Sequence, residues 1–287
     1  MKKCGYVAII GDPNVGKSTL LNAFLNLNLS IINKKAQTTR NKILGTLTEK
    51  NYQIIFIDTP GIIDPKYELQ SFMLSSVKSS IREADVIVYL FDVVNYKNIS
   101  AVNIEKEKKS IFCLNKIDLI TKEESEKISE FFKKEKPNEI LIPISATNKI
   151  NLEILKDKIV EYLPESEFLY EEDFLTDRPE KFFVAEIIRN CILNLFEQEI
   201  PYSVFVNIPL FKEREEGKDY IEAEIIVERE SQKVIIIGKN GTKLKQLGEE
   251  ARLAIEDFLG RPVFLKLFVK VRKNWRKNKE FLKKHYS

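Results

Sequence analysis

The fold of the first half of the chain is decided by the stretch Gly11-Asp12-Pro13-Asn14-Val15-Gly16-Lys17-Ser18, which has the pattern G-x-x-x-x-G-K-S. An apolar run at 6–10 precedes it, and a helix-like run at 19–27 follows it. In this setting the glycines let the backbone fold around a phosphate, so that N–H groups and a helix N-terminus point at the anion. Lys17 would reach the β- and γ-phosphates, and the Ser18 hydroxyl would hold Mg²⁺. A Gly-Pro turn before an ordinary helix is the competing interpretation, and it explains less of the pattern.

Strands and helices alternate through the first half, which favours an α/β domain built on a parallel sheet. We predict strands at 6–10, 41–47, 53–57, 86–91, 110–114 and 140–144, and helices at 17–26, 69–84, 122–134 and 152–162. Residues 30–40 are polar and lack apolar periodicity. We therefore expect an exposed loop there that can order or disorder.

The tetrapeptide Asp58-Thr59-Pro60-Gly61 follows an apolar run that ends at Ile57. A carboxylate at the end of a strand beside a phosphate-binding loop can hold Mg²⁺, directly or through water. The Gly61 N–H could bond a γ-phosphate, and the glycine would let the following loop move. A strand-ending Asx turn is the alternative.

The motif Asn115-Lys116-Ile117-Asp118 follows another apolar run, at 110–114. A carboxylate at Asp118 can accept hydrogen bonds from the N1–H and the exocyclic amine of guanine, a pair of donors that adenine lacks. Lys116 would lay its methylene stem along the base, and Asn115 would tie this loop to the phosphate-binding loop. Alone, N-K-x-D is typical of a surface loop, but in this order it predicts guanine selectivity.

A third polar segment, Ser145-Ala146-Thr147, follows the predicted strand at 140–144. It carries little information alone. Its position on the next strand in order predicts that one of its backbone amides reaches guanine O6.

These motifs come in the order of a Ras-like P-loop GTPase domain with a mixed, mostly parallel sheet. The loop motif Lys35-Ala36-Gln37-Thr38-Thr39-Arg40 is similar to switch I of Era-family GTPases, which belong to the translation-factor-related class. Three further segments resemble the same family: the first motif together with Thr19, the motif Asp58-Thr59-Pro60-Gly61, and Thr176-Asp177-Arg178. The resemblance runs along the full length of the chain.

The resemblance implies a switch that alternates between GTP and GDP. A switch I threonine donates its hydroxyl to Mg²⁺ only while the γ-phosphate is present; we expect Thr39, with Thr38 as the open alternative. Ras-like enzymes place a water-orienting glutamine after the Asp58 motif, but the residue here is Ile62. An isoleucine cannot orient water by hydrogen bonding, so the resemblance implies slow hydrolysis. The catalytic contacts are then assigned to Lys17, Asn14, Thr39 and Gly61.

In related P-N-x-G-K-S GTPases the asparagine, here Asn14, helps to bind K⁺ beside the phosphates. By resemblance we expect K⁺ to act there as an arginine finger does. Asp12 stands where better-known members have arginine, and it adds negative charge near the phosphates, with its effect on nucleotide affinity left open. The predicted nucleotide contacts are Gly11, Asp12, Pro13, Asn14, Val15, Gly16, Lys17, Ser18, Thr19, Asp58, Thr59, Pro60, Gly61, Ile62, Asn115, Lys116, Asp118, Ser145, Ala146 and Thr147.

The second half contains the loop Gly238-Lys239-Asn240-Gly241 between an apolar segment and a basic, helix-like run. A helix pattern at 184–195, strands at 202–208 and 220–227, and a closing strand at 263–271 complete an order that resembles an α+β type II KH domain. In KH modules a G-x-x-G loop clamps single-stranded RNA, since glycines let the backbone approach the sugar-phosphate. Lys239, Lys243 and Lys245 would neutralise phosphates. A turn without function is the alternative.

Charge is unevenly distributed along the chain. From Ser231 onward the chain has 15 Lys and Arg residues and 5 Asp and Glu residues, which gives a net charge of +10. The whole chain carries +3, so residues 1–230 carry −7. A basic segment on an acidic body suggests contact with nucleic acid or an acidic membrane. A merely solvated basic tail stays possible, and Trp275 within it either caps the core or stacks on a base.

The segment 164–181 is acidic but interrupted by aromatic and aliphatic residues. We predict a GTPase domain at 1–165, a linker at 166–181 whose apolar residues dock on one or both domains, and a KH domain at 182–287. A disordered hinge is the alternative.

Composition excludes several classes of protein. With 44% hydrophobic and 31% charged residues, the 287-residue chain has an ordinary globular composition, and no apolar run approaches the roughly 20 residues of a membrane span. The first strand begins too close to Met1 for a signal peptide. Three distant cysteines, Cys4, Cys113 and Cys191, suggest a reducing cytoplasm rather than a disulfide framework or zinc site. The chain has one histidine, His285, which argues against a His-based catalytic or metal site.

We therefore expect a GTPase joined to an RNA-binding domain. The resemblance implies that it binds the single-stranded 3′ region of 16S rRNA and helps to mature the small ribosomal subunit, as a monomer. One alternative is an RNA-binding module that binds nucleotide but barely hydrolyses it; intact Lys17, Ser18, Thr39 and Asp58 argue against that. Another alternative is peripheral contact of the basic C-terminus with anionic lipid on the cytoplasmic face of the membrane. The C-terminal segment lacks a clear amphipathic helix with a broad apolar face, which argues against this as the main role.

Overall fold

The computed structural model of the chain describes residues 2–35, 37–101 and 108–286. Ala36, within the loop motif at 35–40, therefore lies outside the described residues. The chain divides into two compact units: residues 1–66 with 70–177, and residues 67–69 with 178–287. Within the described ranges no helix is both long enough and apolar enough to span a bilayer.

Unit 1 contains a six-stranded sheet in the order β2-β3-β1-β4-β5-β6. Its strands are β1 (Lys3–Ile10), β2 (Ile43–Glu49), β3 (Tyr52–Asp58), β4 (Val86–Asp92), β5 (Lys109–Asn115) and β6 (Leu141–Pro143). Its helices are α1 (Lys17–Leu25), α2 (Glu68–Glu83), α3 (Lys122–Glu135) and α4 (Leu152–Tyr162). Only β2 runs antiparallel to its neighbour among these described strands, which confirms the predicted mixed, mostly parallel sheet.

The register of this sheet brings the predicted motifs to one edge. Ile9 pairs with Asp58 in parallel strands, and Asp92 pairs with Asn115. Because parallel strands end at a common edge, the loops after β1, β3, β4 and β5 lie together. The central strands β4 and β5 are mostly apolar and are buried on both faces, as a parallel sheet requires.

Helix α3 shows how local sequence sets an element boundary. The Thr121 hydroxyl accepts from the Glu124 N–H at 3.3 Å, and the Glu124 carboxylate accepts from the Thr121 N–H at 2.8 Å. This capping box satisfies two amides at the helix start. From there Ile128 and Phe132 face the core, where Phe132 packs against Phe112 of the sheet.

The segment that follows α4 docks on unit 1 instead of forming a free hinge. Gln53, which is 0% exposed, accepts hydrogen bonds from the N–H groups of Leu169 and Tyr170 and donates to the Tyr170 carbonyl. The Thr46 N–H on β2 donates to the Leu175 carbonyl at 2.9 Å. The aromatic residues of the acidic segment are therefore explained by packing, since Tyr170 also stacks on Phe174.

Unit 2 combines helices with a three-stranded sheet in the order β7-β8-β9. Its elements are α5 (Glu180–Leu195), α6 (Ile200–Ser203), β7 (Phe205–Lys212), β8 (Asp219–Val227), α7 (Glu230–Ile237), α8 (Thr242–Leu259), β9 (Val263–Val271) and α9 (Lys279–Tyr286). Apolar side chains of α5, β8 and α8 share one core, which includes Ile188, Ile192, Ala223, Leu247 and Ile255. This is the α+β order predicted for the second half.

Two expectations about unit 2 are settled by packing. The predicted strand at 202–208 is wrong at its start, because Pro201 stands in the first turn of the short helix α6 and the strand begins at Phe205. The Trp275 side chain is 0% exposed and its indole N–H donates to the Ser203 carbonyl at 3.1 Å. Trp275 therefore caps the core and is not available to stack on a base.

Candidate functional site

The loop between β1 and α1 is shaped by glycines at positions of close approach. Gly16 has φ 102°, in the left-handed region, and a Cβ there would lie 2.3 Å from Asn115 Nδ2. A Cβ at Gly11 would lie 2.1 Å from the Leu90 carbonyl oxygen. No other residue type fits these two positions, so the loop can wrap tightly with its N–H groups at the start of α1.

Lys17 is a buried cation inside this loop. Lys17 is 6% exposed, and its ammonium donates to the carbonyls of Gly11 at 3.0 Å and Asp12 at 2.8 Å. Burial lowers the pKa of Lys17 to about 8, although the nearby carboxylates of Asp58 and Asp12 oppose the shift. An anion bound in this loop would meet a cation that water cannot screen.

Three predicted metal-binding residues meet beside Lys17. The Ser18 hydroxyl donates to Asp58 Oδ2 at 2.7 Å and lies 3.0 Å from the Thr39 hydroxyl. Asp58 Oδ1 is buried and has no hydrogen-bond partner in the described part of the chain. Burial raises the pKa of Asp58, while Ser18 and Lys17 lower it. A buried carboxylate oxygen beside two hydroxyls is the donor set that Mg²⁺ prefers, so these residues fit a magnesium ion.

The two adjacent threonines of the switch I-like loop differ in their partners. Thr38 is buried, and its hydroxyl donates to the Lys35 carbonyl at 2.6 Å. Thr39 instead reaches the Ser18 hydroxyl. The geometry therefore favours Thr39 over Thr38 as the candidate metal ligand. The sequence alone cannot separate these two adjacent threonines.

The loop after β3 touches the phosphate-binding loop directly. A Cβ at Gly61 would lie 2.7 Å from the Pro13 backbone nitrogen, and the Ile62 N–H donates to the Gly11 carbonyl at 3.2 Å. The Thr59 hydroxyl is committed to the Ile9 carbonyl at 2.7 Å. Ile62 is 40% exposed, so an apolar side chain stands at the position where Ras-like enzymes orient water.

Asn115 joins three of the predicted motifs. Its amide donates to the Val15 carbonyl at 2.8 Å, and its Oδ1 accepts from the Ala146 N–H at 2.9 Å. Ser145 is buried beside Ala146, whereas Thr147 and Asp118 are exposed. The loops after β5 and β6 are thus held against the phosphate-binding loop, and the Asp118 carboxylate is open to a ligand.

Asn14 and Asp12 each bind a neighbouring segment. Asn14 has φ 65°, and its amide donates to the Lys34 carbonyl at 2.8 Å in the switch I-like loop. Asp12 accepts from the Asn98 amide at 2.7 Å, in a 3₁₀ helix that follows β4. The side-chain oxygen of Asn14 stays directed by this contact, as a cation ligand would need to be.

Sequence reasoning missed Asp92 and Asn98. Asp92 ends β4 opposite Asn115, and its carboxylate accepts from Lys116 Nζ at 2.8 Å. The signal was a carboxylate after the apolar run at 86–91, at the same sheet edge as the other motifs. Asn98 lies in a polar turn with no comparable pattern.

The loop between α7 and α8 has the backbone that its glycines predict. Gly238 has φ 73°, Asn240 φ 52° and Gly241 φ 76°, so three residues of the loop have positive φ. The side chains of Lys239, Asn240, Lys243 and Lys245 are exposed. Lys243 also lies over the Phe196 ring at 5.5 Å, so its stem is directed by the core.

A groove runs beside this loop, between α8 and β9. Its lining combines apolar and charged side chains with two glycines: Gly241, Leu244, Lys245, Gly248, Glu249, Arg252, Leu265, Lys266 and Leu267. The apolar members could hold bases while the cations meet phosphates. The groove thus brings Gly241 and Lys245 together with residues that the sequence analysis did not predict, such as Arg252 and Lys266.

Comparison with known families agrees with the division into two units. Residues 6–116 match the family described as 50S ribosome-binding GTPase, and residues 199–276 match the KH domain family.

Relatives match over nearly the whole chain. GTPase Era of Thermoanaerobacter sp. (strain X514) is 46% identical over 289 aligned residues, which cover 98% of this chain and 95% of that protein. GTPase Era of Lacticaseibacillus paracasei is 44% identical, covering 97% of this chain and 95% of that protein.

Two solved structures match equally broadly. A crystal structure of Era in complex with MgGDPNP and nucleotides 1506–1542 of 16S ribosomal RNA has a TM-score of 0.93 at 42% identity, covering 99% of this chain and 98% of that one. A variant of Aquifex aeolicus Era bound to GDP·AlF₄⁻ has a TM-score of 0.92 at 41% identity, with 98% of both chains covered.

Proposed function

This chain belongs to the Era family of GTPases, and from that premise we propose that it is a GTP-hydrolysing switch whose KH unit binds the single-stranded 3′ region of 16S rRNA. The observation that carries the proposal is the Asn115 bridge between Val15 and Ala146, which builds phosphate and base loops into one site. The G-x-x-G loop of unit 2 supplies a second site, for a nucleic acid.

Nucleotide binding divides among the residues of unit 1. Backbone N–H groups of 11–18 and the Lys17 ammonium hold the phosphates, and Asp118 accepts from the guanine edge. Lys116 covers the base with its methylene stem, and a backbone amide within residues 145–147 reaches guanine O6. Because only guanine offers Asp118 two donors, GTP and GDP are favoured over adenine nucleotides.

Ser18, Thr39 and Asp58 are the residues that would hold Mg²⁺, with Asp58 acting through water. The ion, when bound, neutralises charge that develops on the phosphates. Mg²⁺ is supported by the related Era structure that contains MgGDPNP. Thr39 would sense the γ-phosphate and Gly61 would bond it, so that loss of that phosphate releases both loops.

Hydrolysis by this chain alone should be slow, because Ile62 cannot orient water. We propose that K⁺, held by Asn14 beside the phosphates, supplies part of the missing charge stabilisation. The test is the rate of GTP hydrolysis at equal ionic strength in K⁺ and in Na⁺. A faster rate in K⁺ is expected, and identical rates would remove the potassium proposal while leaving the GTPase proposal intact.

RNA binding is proposed for the G-x-x-G loop and the groove beside it. Gly238 and Gly241 would let the backbone approach the sugar-phosphate, while Lys239, Lys243 and Lys245 neutralise phosphates. The related Era structure bound to nucleotides 1506–1542 of 16S rRNA supports the 3′ region as the ligand. Binding there would let the chain assist maturation of the small ribosomal subunit.

The experiment measures binding of a single-stranded 16S rRNA 3′-end oligonucleotide by fluorescence anisotropy. We expect the double substitution Lys239→Glu with Asn240→Asp to abolish binding and to leave RNA-free GTP hydrolysis unchanged. A matched control, Lys133→Glu with Asn138→Asp, makes the same charge change on exposed residues of unit 1. Retained binding in the first variant would move the RNA site elsewhere.

A further assay tests whether RNA binding changes the rate of GTP hydrolysis. We expect the rate of GTP hydrolysis to change when the oligonucleotide is added, and to be insensitive to it in the Lys239→Glu, Asn240→Asp variant. Equal rates with and without RNA in the wild type would favour two independent binding activities.

The remaining proposals concern setting. The cysteines Cys4, Cys113 and Cys191 are free and buried, which suits a reducing cytoplasm. We propose a monomer, to be checked by light scattering. Peripheral contact with the inner membrane through the exposed Lys283 and Lys284 is a subsidiary proposal, to be checked by sedimentation with anionic vesicles.

A further inference from the structure

Asp92 is a buried carboxylate to which the proposed function gives no role. It is the last residue of β4 and is 4% exposed. Its Oδ1 accepts from the N–H groups of Val94 at 3.1 Å and Asn95 at 2.8 Å. Because these amides hold one oxygen, the carboxylate cannot turn, and the other oxygen faces a fixed direction.

That second oxygen holds Lys116. Asp92 Oδ2 accepts from Lys116 Nζ at 2.8 Å, in an ion pair whose carboxylate side is nearly free of water. Although burial alone would raise the pKa of Asp92, the hydrogen bonds from Lys116 and from the Asn95 and Val94 amides lower it. Removing either member of this ion pair would leave the other without its partner.

Lys116 uses the same ammonium to hold the phosphate-binding loop. Lys116 Nζ also donates to the Asn14 carbonyl at 2.8 Å, and Asn14 in turn donates through its amide to the Lys34 carbonyl at 2.8 Å. Both Lys116 and Asn14 have φ in the left-handed region, at 68° and 65°. Such a backbone is costly for these residues and persists only when surrounding contacts fix it.

We propose that Asp92 is a positioning residue for guanine-nucleotide binding, which acts by fixing the Lys116 ammonium between the end of β4 and the Asn14 carbonyl. This inference rests on the proposed guanine-nucleotide site. With its ammonium anchored at two points, the Lys116 stem is ordered across the base position before a nucleotide arrives, so less conformational entropy is lost on binding. The Asn14 backbone is held in the conformation that the phosphate-binding loop requires.

The two ends of this chain of hydrogen bonds belong to different parts of the site. Asp92 lies at the base side, and Lys34 lies in the switch I-like loop. Loss of the Asp92 charge should thus weaken nucleotide binding in the ground state without removing a group that touches the reacting phosphate. A rise in KM with little change in kcat distinguishes this role from a catalytic one.

The experiment compares Asp92→Asn with the matched control Asp85→Asn in the full chain. Asparagine keeps the size of the side chain and the acceptor for the Val94 and Asn95 amides, but loses the charge that holds Lys116. Asp85 also accepts a backbone amide, from Tyr6 at 2.8 Å, at the opposite end of β4. We expect Asp92→Asn to raise the Kd for GDP about tenfold, as loss of one charge-assisted hydrogen bond does, and Asp85→Asn to change it less than about twofold.

A double-mutant cycle separates positioning from a general structural effect. If Asp92 acts through Lys116, adding Asp92→Asn to Lys116→Met should change the Kd for GDP by less than about twofold. Additive losses in the cycle would overturn the proposal, as would wild-type affinity in Asp92→Asn. Asp92→Ser, whose hydroxyl can still accept from the Asn95 amide, should reproduce the loss.

The wild-type titration separates this inference from the one on which it rests. If the wild type itself failed to bind GDP, the proposed nucleotide site would be wrong. If the wild type binds GDP and Asp92→Asn binds it equally well, only the role of Asp92 is rejected.

Discussion

Asn115 Nδ2 donates to the Val15 carbonyl at 2.8 Å, so the loop after β5 and the loop after β1 are joined by one side chain. The same contact explains why position 16 must be glycine, since any Cβ there would collide with that amide. A change at Asn115 should therefore alter both the proposed base-binding loop and the proposed phosphate-binding loop.

We expect Asn115→Ala to weaken GDP binding and to lower the thermal unfolding temperature. The substitution leaves the Val15 carbonyl and the Ala146 N–H without their side-chain partner, which costs about 1–3 kcal/mol for each buried group left unpaired. Calorimetric titration and thermal unfolding measure the two effects. Asn138→Ala, an exposed position in the same unit, is the control and should change neither. Unchanged GDP affinity in Asn115→Ala would contradict the prediction.

We expect Thr39→Ala and Thr38→Ala to separate the two switch threonines. Thr39 lies 3.0 Å from Ser18, whereas Thr38 is bonded to Lys35. Thr39→Ala should slow GTP hydrolysis by about tenfold or more and leave GDP affinity within about twofold, since this hydroxyl acts only with the γ-phosphate present. Thr38→Ala should slow hydrolysis less. The assignment is reversed if Thr38→Ala shows the larger loss.

We expect GDP affinity to fall as pH rises through the pKa of Lys17. Phosphate binds the ammonium form, and burial lowers that pKa to about 8, so the cation is present below pH 8 and lost above it. Between pH 7.0 and pH 8.8 the Kd should rise about sevenfold, the change that a group of this pKa produces. A lysine of ordinary pKa would leave the Kd nearly constant over this interval. A flat profile from titration calorimetry would therefore reject a buried, perturbed Lys17.

We expect Gly248→Ala to strengthen the fold and to weaken RNA binding. Gly248 lies inside α8, and an added Cβ would meet Leu267 Cδ1 at 3.6 Å, an ordinary contact. Alanine in a helix interior is favoured over glycine by about 1 kcal/mol, so the unfolding free energy should rise by about that amount. The same methyl group narrows the groove between α8 and β9, so affinity for the rRNA 3′-end oligonucleotide should fall.

The control for this prediction is Gly260→Ala at the end of the same helix. Gly260 has φ 67°, so alanine there should destabilise the fold by about 1 kcal/mol. Fluorescence of Trp275, the single tryptophan, reports unfolding of unit 2 in urea. Gly248→Ala with unchanged RNA affinity would show that no base lies against the helix backbone.

The sequence predicts unit 1 well because its signals are local. The spacing of Gly11, Lys17 and Ser18 specifies a loop, and the apolar run before Asp58 specifies a strand that ends at the site. Once the strands are parallel, their ends must meet, so the order of the motifs predicts their proximity. The strand at 263–271 is predicted to the residue for the same reason, since alternation at period two is a local pattern.

Other features depend on partners that are remote in the chain. The sequence around Gln53 does not indicate that its side chain will bind Leu169 and Tyr170, which lie far along the chain. These contacts nevertheless hold the segment after α4 against unit 1. Thr38 and Thr39 are chemically identical, and only the folded loop separates them. Asp92 was missed because a single carboxylate at a strand end has many uses, and its pairing with Lys116 appears only across the sheet.

The bond from the Thr46 N–H to the Leu175 carbonyl has a consequence for how the GTPase unit behaves when isolated. Strand β2 is an edge strand of the six-stranded sheet. The unpaired backbone groups of an exposed edge strand can pair with another molecule and start aggregation. In the intact chain the Leu175 carbonyl occupies one amide of this edge strand. A fragment cut after Leu163 would expose it, whereas one cut after Asp177 would keep it covered. The residues that follow α4 should thus also lower the tendency of this edge strand to pair with another copy of the unit.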